Sequence, residues 1–348
     1  MRTIGIDLGK INSQVSVRDE EGKELWNDRV KTDRESLVKM VAGPKARVLI
    51  EAGTPARWVA RCLREAGHEV VVADPGYLPM YVDLKSKRKK TDKRDAALLS
   101  QALLNGMWRP AHERSDEEQI RKMRIDSRSR HVGTRTMLVN AIKATFHAFG
   151  LDHVKGTPEK QPAAMRAALS QLPEAARGVV ETDIAALEAQ NAIIAKLDEE
   201  IAATSGRSPH VQRLMTVPGI GLITAATFVA TIDNAHRFAN GHELASHLGL
   251  APSEHSSGEK RLLGGITKAG PKYLRILLVQ AAWSIWRSKD SAAARLRAWG
   301  QRIGDRRGRK PAVVALARKL AGILLAMWKK QTDFRPEASA ARSPLTAP

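Results

Sequence analysis

Acidic residues at the ends of short apolar segments constrain the N-terminal part of the chain most strongly. Buried strands are indicated by residues 3–7 (TIGID), 46–51 (ARVLIE) and 69–74 (EVVVAD). Residues 13–27 alternate in polarity and turn at a Glu-Gly pair, as a β-hairpin does. Helical patterns separate the apolar strands. The sequence therefore predicts an α/β domain over residues 1–110 with a mixed, mostly parallel sheet.

The rest of the chain has a helical pattern. It predicts a basic helical linker over 111–205, a mostly α C-terminal domain over 206–331 and a disordered Pro/Ala/Ser-rich tail over 332–348. Coiled-coil-like steps of 3, 7, 3 and 4 residues connect Ile184, Leu187, Ile194, Leu197 and Ile201. This apolar seam fits an antiparallel hairpin inside one chain and dimerisation equally well.

The charge of the chain indicates a polyanionic partner. There are 57 Lys and Arg against 37 Asp and Glu, a formal net charge of +20. Such a surplus favours nucleic acid, because bound cations release its counterions. The residues predicted to contact nucleic acid are Lys87, Arg88, Lys89, Lys90, Arg121, Lys122, Arg124, Arg128, Lys260, Arg261, Lys268 and Arg275.

Composition also limits the compartment. Cys62 is the only cysteine, which excludes a disulfide framework and a cysteine-based zinc site. The first ten residues lack the apolar core of a signal peptide. We also expect no apolar run long enough to cross a bilayer. The sequence thus predicts a cytoplasmic protein without a membrane partner.

Four acids form the candidate catalytic set: Asp7, Glu51, Asp92 and Asp95. The first two end apolar strands, at the sheet edge where α/β proteins form their sites. The other two are three residues apart, so a helix places them on one face. Carboxylates brought together repel each other unless cations neutralise them. Two Mg²⁺ ions, or Mn²⁺ in their place, would do so and would stabilise both oxygens exchanged at a phosphorus atom.

The order of these acids separates two interpretations. An acid in the first strand, an acid ending a later strand and acids on a following helix is the layout of RNase H-like nucleases, including RuvC-type resolvases. The motif GIDLG at residues 5–9 also opens actin-like ATPases such as sugar kinases. A kinase of that type needs a second α/β lobe, whereas the C-terminal half here is basic and helical. The RNase H-like interpretation is therefore favoured, although each acid taken singly is more often a cap or a solvated charge.

Two glycine-containing segments near the C-terminus are candidates for handling DNA. Residues 216–221 (TVPGIG) have the pattern of a helix-hairpin-helix element, in which amides around Gly219 and Gly221 hold a phosphate. The competing interpretation is an ordinary turn between helices. Ser256 and Ser257 lie in a Gly/Ser loop with basic neighbours that could activate a hydroxyl nucleophile. Serines in such loops are more often linker residues, and their spacing does not decide the matter.

Six segments together carry a resemblance to a known family. They are GIDLGK, LIEAGT, KKTDKRDA, TVPGIG, LGLAPSEHSSGEKRLLGGITKAGPKYLR and ALARKLAGILLAMW. In this combination the chain resembles, over nearly its whole length, the IS110 family of DEDD transposases of insertion sequences, which include the Piv-type DNA invertases.

The resemblance implies a RuvC-like N-terminal domain, a coiled-coil linker and a C-terminal transposase domain. It implies that Asp7, Glu51, Asp92 and Asp95 hold metal and that Ser256 or Ser257 is essential. It also implies recombination guided by a structured RNA from the element, in a homodimer or homotetramer. We therefore expect a Mg²⁺-dependent DNA recombinase. A junction nuclease that uses metal-activated water and a non-catalytic nucleic-acid-binding scaffold are the competing hypotheses.

Overall fold

The computed structural model describes residues 1–78, 91–151, 156–254 and 263–336. Contacts divide the chain into two compact units, Met1–Arg114 (unit 1) and Ser115–Pro348 (unit 2). The finer division predicted at residue 205 stays a prediction, since residues on both sides of it lie in unit 2. Ile125 and Ile201 share a core cluster with the C-terminal helices.

Unit 1 is built on a five-stranded sheet with the order β3-β2-β1-β4-β5. The strands are β1 (Thr3–Asp7), β2 (Asn12–Arg18), β3 (Glu24–Lys31), β4 (Arg47–Glu51) and β5 (Glu69–Ala73). β1 pairs antiparallel with β2 and parallel with β4, and β4 pairs parallel with β5. The predicted mixed sheet is confirmed, and the arrangement is compatible with an RNase H-like fold.

Helices cover both faces of this sheet. α1 (Arg34–Val41) and α2 (Ala56–Glu65) share a cluster with alternate apolar residues of β1 and β4. α3 (Asp92–Leu104) lies on the opposite face and approaches the sheet closely at Gly5. A Cβ atom at Gly5 would lie 2.2 Å from the amide nitrogen of Ser100. Only a residue without a side chain permits this packing.

A polar network fixes α3 on the sheet. The Oγ atoms of Ser16 on β2 and Ser100 on α3 lie 2.9 Å apart, and both residues are fully buried. Arg18 donates from Nε to the same Ser100 oxygen at 2.9 Å. On β3, Asn27 donates to the backbone carbonyl of Lys93 at 3.0 Å. These hydrogen bonds set the rotation and the height of the helix above the strands.

A buried histidine is expected to make the stability of unit 1 depend on pH. His68 is 7% exposed, and its Nδ1 accepts a hydrogen bond from the Ala46 amide at 3.3 Å. Burial, helped by the charge of Arg2, lowers the pKa of His68 below its ordinary 6.5. Protonation therefore favours the unfolded chain, and the stability of unit 1 should fall as the pH drops through 6.5. His68→Asn can still accept the amide and should flatten this dependence in thermal unfolding; an unchanged slope would contradict the assignment.

Unit 2 is mostly helical in its described part. Its helices are α4 (Asp116–Ala148), α5 (Gln161–Ala168), α6 (Glu174–Ser205), α7 (Pro209–Met215), α8 (Leu222–Ile232), α9 (Gly241–His247), α10 (Lys272–Arg287), α11 (Ala294–Arg307) and α12 (Arg309–Lys330). Two short strands, β6 (Pro252–Glu254) and β7 (Leu263–Ile266), pair antiparallel. The predicted mostly α character of the C-terminal half is confirmed.

The two long helices α4 and α6 pack antiparallel. Arg124 near the start of α4 pairs with Glu200 near the end of α6. Toward the other end, Ile184 and Leu187 of the apolar seam share a cluster with Phe146 of α4. The seam is thus covered by a helix of the same chain, which is the hairpin interpretation; a coiled coil between subunits stays a prediction.

We expected no apolar run long enough to cross a bilayer, but the last helix is one. By length and composition, α12 is long and apolar enough to cross a bilayer, the one such helix in the described ranges. However, 56% of its apolar segment is buried in unit 2. Leu316, Leu320 and Leu324 lie in the core cluster of that unit. This burial is typical of the core helix of a globular domain.

The C-terminal tail begins as part of unit 2. The Phe334 amide donates to Oγ1 of Thr216 at 3.0 Å, and Phe334 packs against the core. Asp333 lies 3.6 Å from Nε of Arg213. The expectation of disorder from residue 332 is therefore wrong for these first residues, while 337–348 lie outside the described residues. A single aromatic in a Pro/Ala/Ser-rich segment gives too weak a sequence signal to predict this docking.

Candidate active site

Asp7 and Glu51 lie side by side at the carboxyl edge of the sheet. The parallel register pairs Ile6 with Ile50. Asp7 and Glu51, the next residues of the two strands, are therefore neighbours. Side chains alternate along a strand, which places both acids on the same face as Gly5. That face is the one covered by α3. Both acids are half-buried.

The N-terminal turn of α3 brings two further acids to this face. Thr91 caps the helix by accepting from the Arg94 amide at 3.3 Å. Asp95 is only 4% exposed, one turn before the sheet-packed part of the helix. Asp92 is exposed, and its carboxylate lies 3.3 Å from Nη2 of Arg29. Asp95 thus belongs to the buried side of α3, and Asp92 lies at the rim.

The sheet adds two polar residues that no sequence motif indicated. Gln14 on β2 is the register partner of Asp7, and Arg29 on β3 is the partner of Gln14. Paired residues share a face, so both accompany Asp7 on the α3 side. Gln14 is buried and donates from Nε2 to Oδ1 of Asn27 at 2.9 Å. Their place depends on the register of three strands, which no local pattern reveals.

The donor chemistry of the four acids fits Mg²⁺ or Mn²⁺. Asp7, Glu51, Asp92 and Asp95 offer carboxylate oxygens, the ligands that hard divalent cations prefer. Within the described residues, however, no group of three or more His, Cys, Asp or Glu is close enough to hold a metal ion. The structure brings the acids to one face and one edge of the sheet but not into one ligand cluster. Their convergence on metal stays a prediction.

The predicted basic contacts on α4 are engaged within unit 2. Carboxylates of the α4–α6 hairpin pair with each of them: Arg121 with Glu117 and Glu118, Lys122 with Asp126, Arg124 with Glu200, and Arg128 with Asp198. Arg128 also donates to the hydroxyl of Tyr273 at 2.9 Å. Acids of the same hairpin thus pair with all four cations, and their contact with nucleic acid stays a prediction. The other predicted cluster, Lys87, Arg88, Lys89 and Lys90, lies outside the described residues.

The candidate serines and the basic residues near them differ in whether the structure describes them and in their exposure. The positions Ser256, Ser257, Lys260 and Arg261 lie outside the described residues. Lys268 is exposed, with a left-handed φ of 57°. Arg275 is buried and donates from Nη1 to the carbonyls of Leu248 and Ala269, each at 2.8 Å. The prediction that Arg275 contacts nucleic acid is therefore wrong, because its guanidinium joins two backbone segments.

Residues 216–221 form the turn between α7 and α8. Gly219 has a φ of 80°, and a Cβ atom there would lie 3.0 Å from the carbonyl oxygen of Ala281 on α10. Gly221 is the N-cap of α8 and provides no side-chain cap. Both glycines are exposed. The segment is a turn between two helices, as expected, and its role toward a phosphate stays a prediction.

Two family models match the chain. A model described as "Transposase", for the DEDD transposases of IS110, matches residues 4–149. A second, described as "Transposase IS116/IS110/IS902 family", matches residues 211–297. The first match includes all four acids, and the second includes both candidate serines.

Curated relatives match over nearly the whole length. A Pseudomonas aeruginosa protein named "Probable family 20 transposase" is 32% identical over 96% of this chain and 98% of its own length. The "Transposase for insertion sequence element IS1111A" of Coxiella burnetii is 29% identical, with 96% and 92% covered. The "Transposase for insertion sequence element IS1328" of Yersinia enterocolitica is 26% identical, with 95% and 98% covered. With these relatives and both family matches, the chain belongs to the IS110/IS116/IS902 family of insertion-sequence transposases.

Proposed function

We propose that this protein is a metal-dependent DNA recombinase that cuts and rejoins DNA at the ends of its insertion sequence. The observation that carries the proposal is the pair Asp7 and Glu51 on neighbouring parallel strands, beneath a helix whose first turn holds Asp92 and Asp95. The names of relatives that match over nearly their whole length support transposition. We assign the activity to the cytoplasm of a bacterial or archaeal cell, where the DNA of such an element lies.

In this proposal the four acids hold Mg²⁺, with Mn²⁺ as a substitute. The bound ions supply positive charge at the attacked phosphate. The protein would supply the fixed positions: β1 and β4 hold Asp7 and Glu51 in register, and the buried polar network under α3 fixes the helix that carries Asp95. Arg29 lies beside Asp92 at the rim, where it adds a cation for an incoming strand. Such prior positioning lowers the reorganisation required during the reaction.

The nucleophile in this proposal is Ser256 or Ser257. A bond forms between serine Oγ and phosphorus as the phosphodiester P–O bond breaks. The hydroxyl proton passes to a base, and the freed DNA oxygen takes up a proton. The covalent link conserves the phosphodiester, so rejoining needs no ATP. Hydrolysis by water would lose the energy of the phosphodiester bond. A recombinase therefore benefits from a loop that supplies a serine nucleophile in addition to the metal-holding acids.

Target choice is assigned to a structured RNA from the element, in a homodimeric or homotetrameric assembly. The net charge of +20 supports a large polyanionic partner of this kind. The exposed, uncapped turn at Gly219 and Gly221 is suited to hold a DNA phosphate without reading sequence. Lys268 also lies in the C-terminal half of the chain, and its exposed ammonium group would supply a further positive charge for nucleic acid.

A covalent-adduct gel tests this function. Labelled element-end DNA is incubated with the protein, the element RNA and Mg²⁺ and then run under denaturing conditions. We expect a protein–DNA adduct that disappears in the Ser256→Ala/Ser257→Ala double variant. Ser253→Ala is the matched control, because the Ser253 hydroxyl donates to the carbonyl of Gly265 at 3.1 Å and has no chemical role in the proposal.

The other outcomes of this gel each contradict the proposal in a different way. Free cleaved ends without an adduct would indicate a junction nuclease that uses water. Intact DNA that is shifted only on a native gel would indicate a binding scaffold. An adduct that persists in the double serine variant would place the nucleophile elsewhere.

A further inference from the structure

A basic groove lies in unit 2, and its lining includes none of the four candidate acids and neither candidate serine. It has a volume of about 700 Å³ and is lined by residues of α9, α11 and α12. Its charged or titratable lining residues are His242, Arg306, Arg307, Arg318 and Lys319. Within the described ranges, no carboxylate is among the lining residues. We call this feature the C-terminal groove.

The fold builds the C-terminal groove from close helix packing. A Cβ atom at Gly241 would lie 2.9 Å from the Cα of Gly322, so α9 and α12 meet backbone to backbone at one end. A Cβ atom at Gly304 would lie 2.7 Å from the ring of Trp286, which brings α11 close to α10. The groove walls are therefore set by backbone positions, and the long basic side chains project from a fixed frame.

Among the described residues, we find no carboxylate paired with the cations of the groove. Arg306, Arg307 and Lys319 form no ion pair within the part of the chain that the structure describes. The Lys319 ammonium instead lies 4.7 Å from the centre of the Trp299 ring. Burial, with the nearby charge of Arg302, lowers the pKa of Lys319. The groove thus gathers positive charge at a partly desolvated place where an anion would relieve it.

The contrast with α4 makes this grouping informative. On α4, carboxylates of the same helical hairpin pair with Arg121, Lys122, Arg124 and Arg128. The chain therefore neutralises its basic residues where they support helix packing. In the C-terminal groove, the guanidinium of Arg318 lies 2.6 Å from the ring nitrogen Nδ1 of His242, with no carboxylate partner among the described residues. Cations left without acids in a concave site are the usual footprint of a phosphate-binding surface.

We propose that the C-terminal groove binds the phosphodiester backbone of a single nucleic-acid strand. The guanidinium groups of Arg306 and Arg307 at the mouth match phosphate oxygens in geometry and charge. Lys319, held against Trp299, supplies a further charge deeper in the groove. A concave basic channel with an aromatic wall is suited to a flexible single strand, whose phosphates can enter it. The site is additional to the proposed recombination chemistry and contains none of its residues.

Salt-dependent binding of full-length protein to short labelled oligonucleotides tests this site, without Mg²⁺ and without cleavage. Single-stranded RNA, single-stranded DNA and duplex DNA are compared by fluorescence anisotropy. We expect Arg306→Gln/Arg307→Gln/Lys319→Gln to reduce the log–log salt slope on single strands by about 2, from about 0.7 for each of the three lost contacts. The preferred strand identifies the natural ligand as RNA or DNA.

The matched control removes the same charge elsewhere on α12. Arg309→Gln/Lys310→Gln/Lys330→Gln changes three exposed cations that do not line the groove. Its slope should stay closer to that of the wild type. Equal slope losses in the two triple variants would mean diffuse attraction and would overturn the site. A groove variant that binds normally but changes its oligomeric state would assign the groove to another copy of the chain.

A second measurement uses the unmodified protein and so does not depend on folding of the variant. The free protein should acetylate at Lys319, whose side chain is only partly buried, and this sets the reference level of modification. Bound single strand should protect Lys319, while Lys310 and Lys330 continue to react. Mass spectrometry of the peptides reads the result. Full reactivity of Lys319 in the saturated complex would contradict the proposal, whatever the fate of the recombinase assay.

Discussion

Replacing Asp7 by Asn is expected to reduce Mg²⁺-dependent cleavage of element-end DNA at least about 10³-fold, about 4 kcal/mol of lost transition-state stabilisation. Asn keeps the shape of the side chain but removes the charge that a divalent cation requires. Glu51→Gln and Asp95→Asn should have effects of similar size, since these acids share the same face and edge of the sheet. The measurement is the initial rate of strand cleavage at saturating Mg²⁺.

Asp74→Asn is the matched control for these variants. Asp74 also follows a parallel strand at this edge, but its carboxylate accepts the Gly76 amide at 2.9 Å and caps a short turn. Asn caps such a turn about as well as Asp. Asp74→Asn should therefore cleave at nearly the wild-type rate. If it lost as much activity as Asp7→Asn, the effect would reflect general charge at the edge rather than the proposed site.

Gly5→Ala is expected to destabilise unit 1 by about 3 kcal/mol or more, the upper range for overpacking. The added Cβ would lie 2.2 Å from the Ser100 amide nitrogen and 2.4 Å from the Ala96 carbonyl oxygen. These are backbone atoms of α3, so the helix must move away from the sheet. Because Asp95 lies on that helix, cleavage activity should fall together with stability.

Thermal unfolding measures the first part of this prediction, with an expected decrease of about 10 °C or more in the transition of unit 1. Gly53→Ala is the control, since nothing lies within 4 Å of its added Cβ. It should change stability by no more than about 0.5 kcal/mol. A Gly5→Ala protein that unfolds like the Gly53→Ala protein would mean that α3 does not pack on the sheet at Gly5.

The sequence predicted the sheet because its strands are short, apolar and separated by helices. β1, β4 and β5 consist mainly of buried apolar residues. Such runs can be recognised in the sequence even when the partner strands are unknown. The strand-end acids Asp7 and Glu51 were predicted for the same reason. Their shared face, however, follows from the register of Ile6 with Ile50, which only the folded sheet defines.

Contacts between residues remote in sequence could not be predicted from local patterns. Arg128 and Arg275 are residues of the type that contacts nucleic acid. In the structure, however, Arg128 pairs with Asp198, and Arg275 donates to two backbone carbonyls. Their partners are remote in sequence, so no local pattern distinguishes them from free cations. The glycines of the GIDLG motif show the same limit. Gly5 admits α3, and a Cβ atom at Gly9 would lie 1.9 Å from the carbonyl oxygen of Asn12, so both are explained by packing and turn geometry.

The most direct test of the central claim is Mn²⁺ binding by the DNA-bound protein, followed by electron paramagnetic resonance. We expect wild-type protein to take up Mn²⁺ at the carboxyl edge of the sheet, and Asp7→Asn to lose this binding while keeping its thermal unfolding transition. The Asp74→Asn protein should bind Mn²⁺ as the wild type does. Equal Mn²⁺ uptake by wild type and folded Asp7→Asn would contradict the assignment of Asp7, Glu51, Asp92 and Asp95 as the metal-holding acids of this transposase.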